Sequence, residues 1–167
     1  MFIVTGLVAV LTLCALGPAH GPPPEPRERT VLDGYVLGPL PPGLGPRVSD
    51  HAYEWGDPPD ETVAFHSRVW ERGPDDSGGY HVDMTVAVLR GKRLSDTAAL
   101  RAFLSEYLER GENSWHPRRF AGRPGFAGAD DACFLDRPGV AIYARLERPG
   151  ADPADLARFM EGVRPDV

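Results

Sequence analysis

Five residues on two neighbouring segments carry the most suggestive polar chemistry of this 167-residue chain: His66, Arg68 and Trp70 on one, His81 and Asp83 on the next. Both segments alternate with a period of two. In the first, Val63, Phe65, Ser67 and Val69 alternate with Thr62, Ala64, His66, Arg68 and Trp70; in the second, Tyr80, Val82, Met84, Val86 and Val88 alternate with His81, Asp83, Thr85 and Ala87. Such alternation predicts strands with one buried face. If the apolar faces are matched, the register places Arg68 opposite Asp83, Trp70 opposite His81 and His66 opposite Thr85. Shifts by two residues keep the faces matched and stay open. The array then reads as a small ligand-binding site, with Arg68 for a carboxylate or phosphate, Trp70 as a platform and histidine as a donor. It also reads as a cross-strand ion pair beside an aromatic–imidazole pair on a solvated sheet face, each pair worth about 0.2–1 kcal/mol.

His51, His66 and His81 stand fifteen residues apart. Equal spacing on separate strands does not make ligands converge, and zinc needs three or four convergent ligands, so no metal is expected. His51, Tyr53, Glu54, Trp55 and Asp57 form a polar-aromatic group near Ser49 and Asp50, but no Gly-x-Ser-x-Gly elbow, phosphate loop, dinucleotide fingerprint or His-Glu-x-x-His occurs. The group reads more plainly as packing at a strand end. His116-Pro117-Arg118-Arg119 offers an anion patch or a solvated loop. No catalytic residue and no cofactor is assigned from the sequence.

The formal charge is −6, and Lys92 is the sole lysine among 18 basic residues. With no polybasic run beyond Arg118, Arg119 and Arg123, nucleic acid is excluded as a partner, because its binding comes mainly from neutralised phosphates. Anionic lipid surfaces are disfavoured for the same reason. Cys14 and Cys133 are the only cysteines. Cys133 lies among Ala132, Phe134 and Leu135 and is expected in the core.

Phe2 to Leu16 is uncharged and almost wholly apolar, and Gly17 to Pro26 is rich in proline. Residues 1–19 are therefore expected to form a hydrophobic helix, either a signal peptide cut after Ala19 or a membrane anchor. No basic residue precedes Arg27, which fits a signal peptide poorly, and the apolar length barely suffices for an anchor. Leu11-Thr12-Leu13-Cys14 resembles a lipoprotein box only superficially, since Leu13 is large where a small residue is needed. Residues 20–29 read as an extended proline-rich tether. Residues 30–167 suit a single domain. The alternative for the apolar head is a core helix of an intracellular protein.

Within that domain the patterning predicts strands over Thr30–Leu37, Arg47–Trp55, Glu61–Arg72 and Tyr80–Arg90. A helix follows from Ser95 or Asp96 to about Arg110, with Leu100, Phe103, Leu104, Tyr107 and Leu108 as its apolar stripe. Glu112 to Ala129 is irregular, with one short strand near His116–Ala121. A hairpin spans Asp131–Asp136 and Val140–Glu147, and Asp152 with Pro153 opens a last helix. The expected fold class is α+β: an antiparallel sheet of about six strands with two helices packed on one face, preceded by the N-terminal hydrophobic helix.

Asp50-His51-Ala52-Tyr53-Glu54-Trp55, Ser67-Arg68-Val69-Trp70-Glu71-Arg72 and Val88-Leu89-Arg90-Gly91 ahead of the Leu100–Leu108 helix resemble uncharacterised small exported or membrane proteins of high-GC actinobacteria. The resemblance spans about Gly34 to Pro165 and carries no known activity or site residue. It implies an extracytoplasmic location. Together with the leader and tether it leads us to expect a non-enzymatic, envelope-associated domain, membrane-anchored or secreted, that binds an envelope partner or senses a ligand. The alternative is an exported hydrolase using a histidine as general base.

Overall fold

A computed structural model describes residues 30–57 and 61–167. The expected leader, anchor and tether lie outside these residues. Among the described residues no helix is long and apolar enough to cross a membrane.

Two antiparallel meanders build the main sheet. The first comprises β3 (Arg47–Trp55), β4 (Val63–Arg72) and β5 (His81–Arg90). The second comprises β6 (His116–Phe120), β7 (Arg123–Ala127), β8 (Asp131–Arg137) and β9 (Val140–Leu146). They join where β9 pairs with β5, giving seven strands in the order β3-β4-β5-β9-β8-β7-β6. Helix α1 (Thr97–Tyr107) and a 3₁₀ turn (Glu112–Ser114) connect the meanders.

A separate small sheet joins the domain's two ends: β1 (Val31–Leu32), β2 (Tyr35–Val36) and, after helix α2 (Pro153–Gly162), β10 (Arg164–Pro165). The single strand expected over Thr30–Leu37 is in fact this β1–β2 hairpin. Asp33 (φ 44°) and Gly34 (φ 78°) turn it, and two successive positive-φ residues are what a tight two-residue hairpin needs. The stretch expected to be irregular, Glu112 to Ala129, holds the β6–β7 hairpin, turned likewise at Ala121 (φ 48°) and Gly122 (φ 83°). Pro117 sits on the edge strand. Pro124 sits on an inner strand, but the β7–β8 ladder begins only at Gly125, so neither proline interrupts it.

The two helices lie on opposite faces of the sheet, not on one. Leu100, Phe103 and Leu104 of α1 pack with Val63, Phe65, Ala87, Leu89, Cys133 and Tyr143. Leu156, Phe159 and Met160 of α2, together with the small sheet, pack with Trp70, Met84, Val86, Val88, Phe134 and Ile142. The inner strands are apolar on both sides, and Met84 and Val86 to Leu89 are all 2 % exposed or less. A doubly covered strand reads as a near-continuous apolar run, and sheets with one wet face do not. Cys133 is fully buried, as expected from its neighbours.

Both helices begin on aspartate caps, Asp96 accepting from the Ala99 N–H and Asp152 from the Ala154 N–H, at 2.9 Å each. Helix α1 ends earlier than the expected Arg110. Glu109 takes a left-handed conformation (φ 52°), and the Arg110 N–H returns to the Ser105 carbonyl at 2.9 Å.

Candidate binding surface

The β4–β5 register differs from the expected one and disperses the five predicted residues. Arg68 faces Val86, His66 faces Val88 and Trp70 faces Met84. A bulge between Trp70 and Glu71 then leaves Asp83 without a partner, and Arg72 faces His81. Face-matching failed as a guide because Met84 and Val86 to Leu89 are covered on both faces, so the register it ruled out leaves none of these apolar residues in water.

Each residue consequently has its own setting. Trp70 is 4 % exposed and belongs to the core under the small sheet. Asp83 is fully buried; its Oδ1 accepts from Arg72 Nε at 2.7 Å and its Oδ2 from the Gly45 N–H at 2.8 Å. Its backbone carbonyl also receives the Glu147 N–H at 2.8 Å. A β-bulge re-aims a side chain, and here the carboxylate fastens the loop before β3 to the sheet. His81 is largely exposed and bonds through Nε2 to Asp75 Oδ2 at 3.0 Å. Asp75 also accepts from the Ser77 N–H, the Ser77 hydroxyl and the Gly79 N–H, and these bonds hold its carboxyl well below the usual range. Of the predicted set, His66, Arg68 and Trp70 face β3, opposite Ala52, Asp50 and Val48.

Strand β3 forms one edge of the sheet. Seven of its nine residues are exposed, and Ser49 and Trp55 are half-buried. It contains no proline and no lysine, and Val48 and Tyr53 are 49 % and 42 % exposed. The opposite edge, β6, carries Pro117 between His116 and Arg118-Arg119. Proline and clustered charge are the usual guards against pairing at a sheet edge. Both edges carry charges, Arg47, Asp50 and Glu54 on β3 among them, so it is proline that separates a guarded edge from one left open among the described residues.

The face of β3 toward α1 presents Arg47, Ser49, His51, Tyr53 and Trp55; the other face presents Val48, Asp50, Ala52 and Glu54. On the first, Ser49 Oγ and His51 Nε2 are 3.1 Å apart. The Tyr53 ring stacks on Phe65 at 4.8 Å, and its hydroxyl meets that of Tyr107 at 2.7 Å. Burial, then this bond, push the Tyr53 phenol far above its usual range. Trp55 meets Phe103 and Tyr107 edge-on at 5.5 and 5.6 Å. On the second face, Arg68 Nε and Nη2 donate to the two Asp50 oxygens at 2.6 Å each, and these bonds hold the Asp50 carboxyl below its usual range. Arg47 reaches Glu71 at 3.3 Å and lies over the Tyr80 ring at 4.1 Å. Two of the charges on β3 are therefore occupied within the domain, while its outer backbone edge pairs with no strand among the described residues.

A buried polar cluster at the end of α1 escaped the sequence reading. Asp131 (1 % exposed) is bonded by Arg110 and by the Tyr143 hydroxyl at 3.2 Å, and Arg110 lies over the Trp115 ring at 4.1 Å. Burial raises the Asp131 carboxyl against the opposing pull of Arg110. Asp131 Oδ1, Arg110 Nε, Trp115 Nε1 and Ser105 Oγ are buried without a partner among the described residues. The cluster ties the segment after α1 to β8, and Asp131 also borders a cleft of about 50 Å³ between Phe120, Ala132 and Leu156. Nothing in the local sequence marks Asp131, because its partners come from the turn after α1 and from β9.

The concavities are shallow, the roomiest of them about 480 Å³ between Arg118, Pro153, Arg158 and Glu161. One of about 220 Å³ lies between Asp130, Leu146, Arg148 and Pro153, and one of about 340 Å³ between Thr97, Arg118, Arg119 and Phe126. Two of these spaces fall within the roughly 300–1,000 Å³ of small-molecule sites, but no histidine lines any of the three. Among the described residues no group of three or more His, Cys, Asp or Glu is placed to hold a metal ion. Comparisons of the chain with protein-family models, with curated proteins and with solved structures find no match.

Proposed function

We propose that the chain is a non-enzymatic binding domain of the cell envelope, working outside the cytoplasm and held there by its apolar head or released by cleavage of it. Its binding element is the open edge of β3. The observation that supports this reading is the asymmetry between a nine-residue, proline-free edge with exposed Val48 and Tyr53 and an opposite edge guarded by Pro117. An open edge recruits a strand from another chain through backbone hydrogen bonds, with alternate side chains setting specificity.

Two experiments test it. A photo-crosslinking residue at Val48 or Ala52 captures a protein in intact cells, and the same residue at His116 or Arg119 does not; equal capture from both edges removes β3 as the binding element. Cell fractionation with N-terminal sequencing finds the domain outside the cytoplasm. Recovery in the cytosol with an intact N-terminus overturns the location.

The alternative, an exported hydrolase with a histidine base, draws on the Ser49–His51 contact at 3.1 Å. A nucleophile needs a base that a third group orients; neighbouring Asp50 is engaged by Arg68 on the opposite face. A fluorophosphonate probe that labels the purified protein and loses its target in Ser49→Ala would favour this alternative.

A further inference from the structure

The geometry points to a second copy of this chain as the occupant of the β3 edge, the two strands pairing antiparallel about a two-fold axis through His51. This inference rests on β3 being the binding element.

A two-fold axis relating two antiparallel edge strands stands perpendicular to the sheet, so each residue meets one whose side chain shares its face. Only registers in which a residue meets itself on the axis satisfy this, and the three central choices put Asp50, His51 or Ala52 there. With Asp50 on the axis, two carboxylates face each other. With Ala52 on the axis, Asp50 faces Glu54 twice. Like charges directly opposite are destabilising.

With His51 on the axis no like-charged pair forms among the acidic and arginine side chains. Arg47, already held by Glu71 and Tyr80, then lies opposite Trp55 of the second copy at both ends, Val48 lies against the stem of Glu54, Ser49 faces Tyr53 and Asp50 faces Ala52. His51 is the midpoint of Arg47–Trp55, so this register alone uses the full strand. It also covers Val48 and Tyr53, the large apolar side chains that β3 leaves most exposed. The result is a continuous fourteen-stranded sheet across two molecules, twice the seven of one.

A strand-to-strand contact of this length is smaller than the roughly 1,200–2,000 Å² of a stable interface. The dimer is therefore weak in free solution and forms where copies are concentrated, as on a shared membrane surface.

Cysteine cross-linking reads the register directly. In the full-length Cys14→Ser background, His51→Cys places two thiols across the axis within the 4.4–6.8 Å Cα separation that a disulfide spans. It forms a disulfide dimer under a mild oxidant. Val48→Cys alone does not, whereas a mixture of Val48→Cys and Glu54→Cys chains does. His51→Asp, which sets two carboxylates face to face, weakens concentration-dependent dimerisation by about tenfold in sedimentation equilibrium.

Equal cross-linking at His51 and Val48 overturns the register. No cross-linking at any of these sites, with a monomer at all concentrations, overturns the self-association. If photo-crosslinking at β3 then captures a different protein, the binding role of the edge stands and the self-pairing alone fails. If β3 captures nothing, both fail.

Discussion

Asp83 illustrates how far one buried carboxylate reaches in this domain. It sits at the bulge of β5, accepts from Arg72 and from the Gly45 backbone, and is fully buried. Its loss frees the loop before β3 and leaves the Gly45 N–H without its acceptor. Asp83→Ala is expected to cost about 2–3 kcal/mol in urea unfolding, the scale of a buried hydrogen bond to a charged group. The exposed Arg68–Asp50 pair makes shorter bonds but stands in water, and Arg68→Ala should cost no more than about 1 kcal/mol. The pH dependence separates these carboxylates by sign. Asp131 has a folded pKa raised above 3.8 by burial, so the unfolded chain gives up that proton first. Its contribution is favourable at low pH and declines as pH rises above 3.8 toward the folded value. Asp50 has a depressed folded pKa, so its contribution is present above 3.8 and is lost as pH falls through the folded value. Denaturation curves across acid pH should show the Asp131 segment vanish in Asp131→Asn and the Asp50 segment vanish in Asp50→Asn.

At the scale of elements, the helices are placed by short apolar stripes and fixed by caps. Phe103 and Phe159 are each fully buried, one against each face of the sheet. Truncating either to alanine is expected to cost about 3–5 kcal/mol, whereas Asp96→Ala or Asp152→Ala should cost about 1 kcal/mol through the lost cap. Urea titrations of the four variants check the ranking. Gly125 is a different kind of constraint. A Cβ there would run into the Cys133 carbonyl of the adjacent strand, so Gly125→Ala must part β7 from β8 and with them the guarded edge. Circular dichroism with proteolysis of that variant should show the β6–β7 hairpin loosened while β3–β5 persists. Elements were legible where their signals were local: the alternation of β4 and β9, the Asp152-Pro153 start of α2, the stripe of α1. β6 was legible as the short strand near His116–Ala121, but its partner β7 and the β1–β2 turn were missed although the turns Asp33-Gly34 and Ala121-Gly122 are written in the chain. Two-residue strands give too little alternation to read, and Pro124 hides β7.

For the whole molecule, coverage on both sheet faces is the decisive property. It removes the wet face on which the five predicted residues were to meet, and it leaves the edges as the extended surfaces where backbone remains open. The binding role proposed for β3, its proposed pairing with a second copy and the proposed envelope location together predict a concentration effect. Tethering two copies to one bilayer should raise cross-linking at His51→Cys well above that of soluble domains at equal bulk concentration. Equal yields on liposomes and in solution would remove the membrane's part in assembly.

The chain by itself determined the α+β class, most strand and helix positions, the buried Cys133 and the alternation that makes two faces. These follow from local period, capping and turn chemistry, which neighbours in sequence decide. Only the tertiary structure decided which face each helix covers, that β5 slides to an unexpected register with Asp83 at a bulge, and that among the described residues β3 ends at an open edge while β6 carries Pro117 at the other. Those outcomes depend on which distant strands meet, Arg47–Trp55 finding one neighbour and His81–Arg90 finding two. A single strand's pattern carries no record of how many sides will be covered.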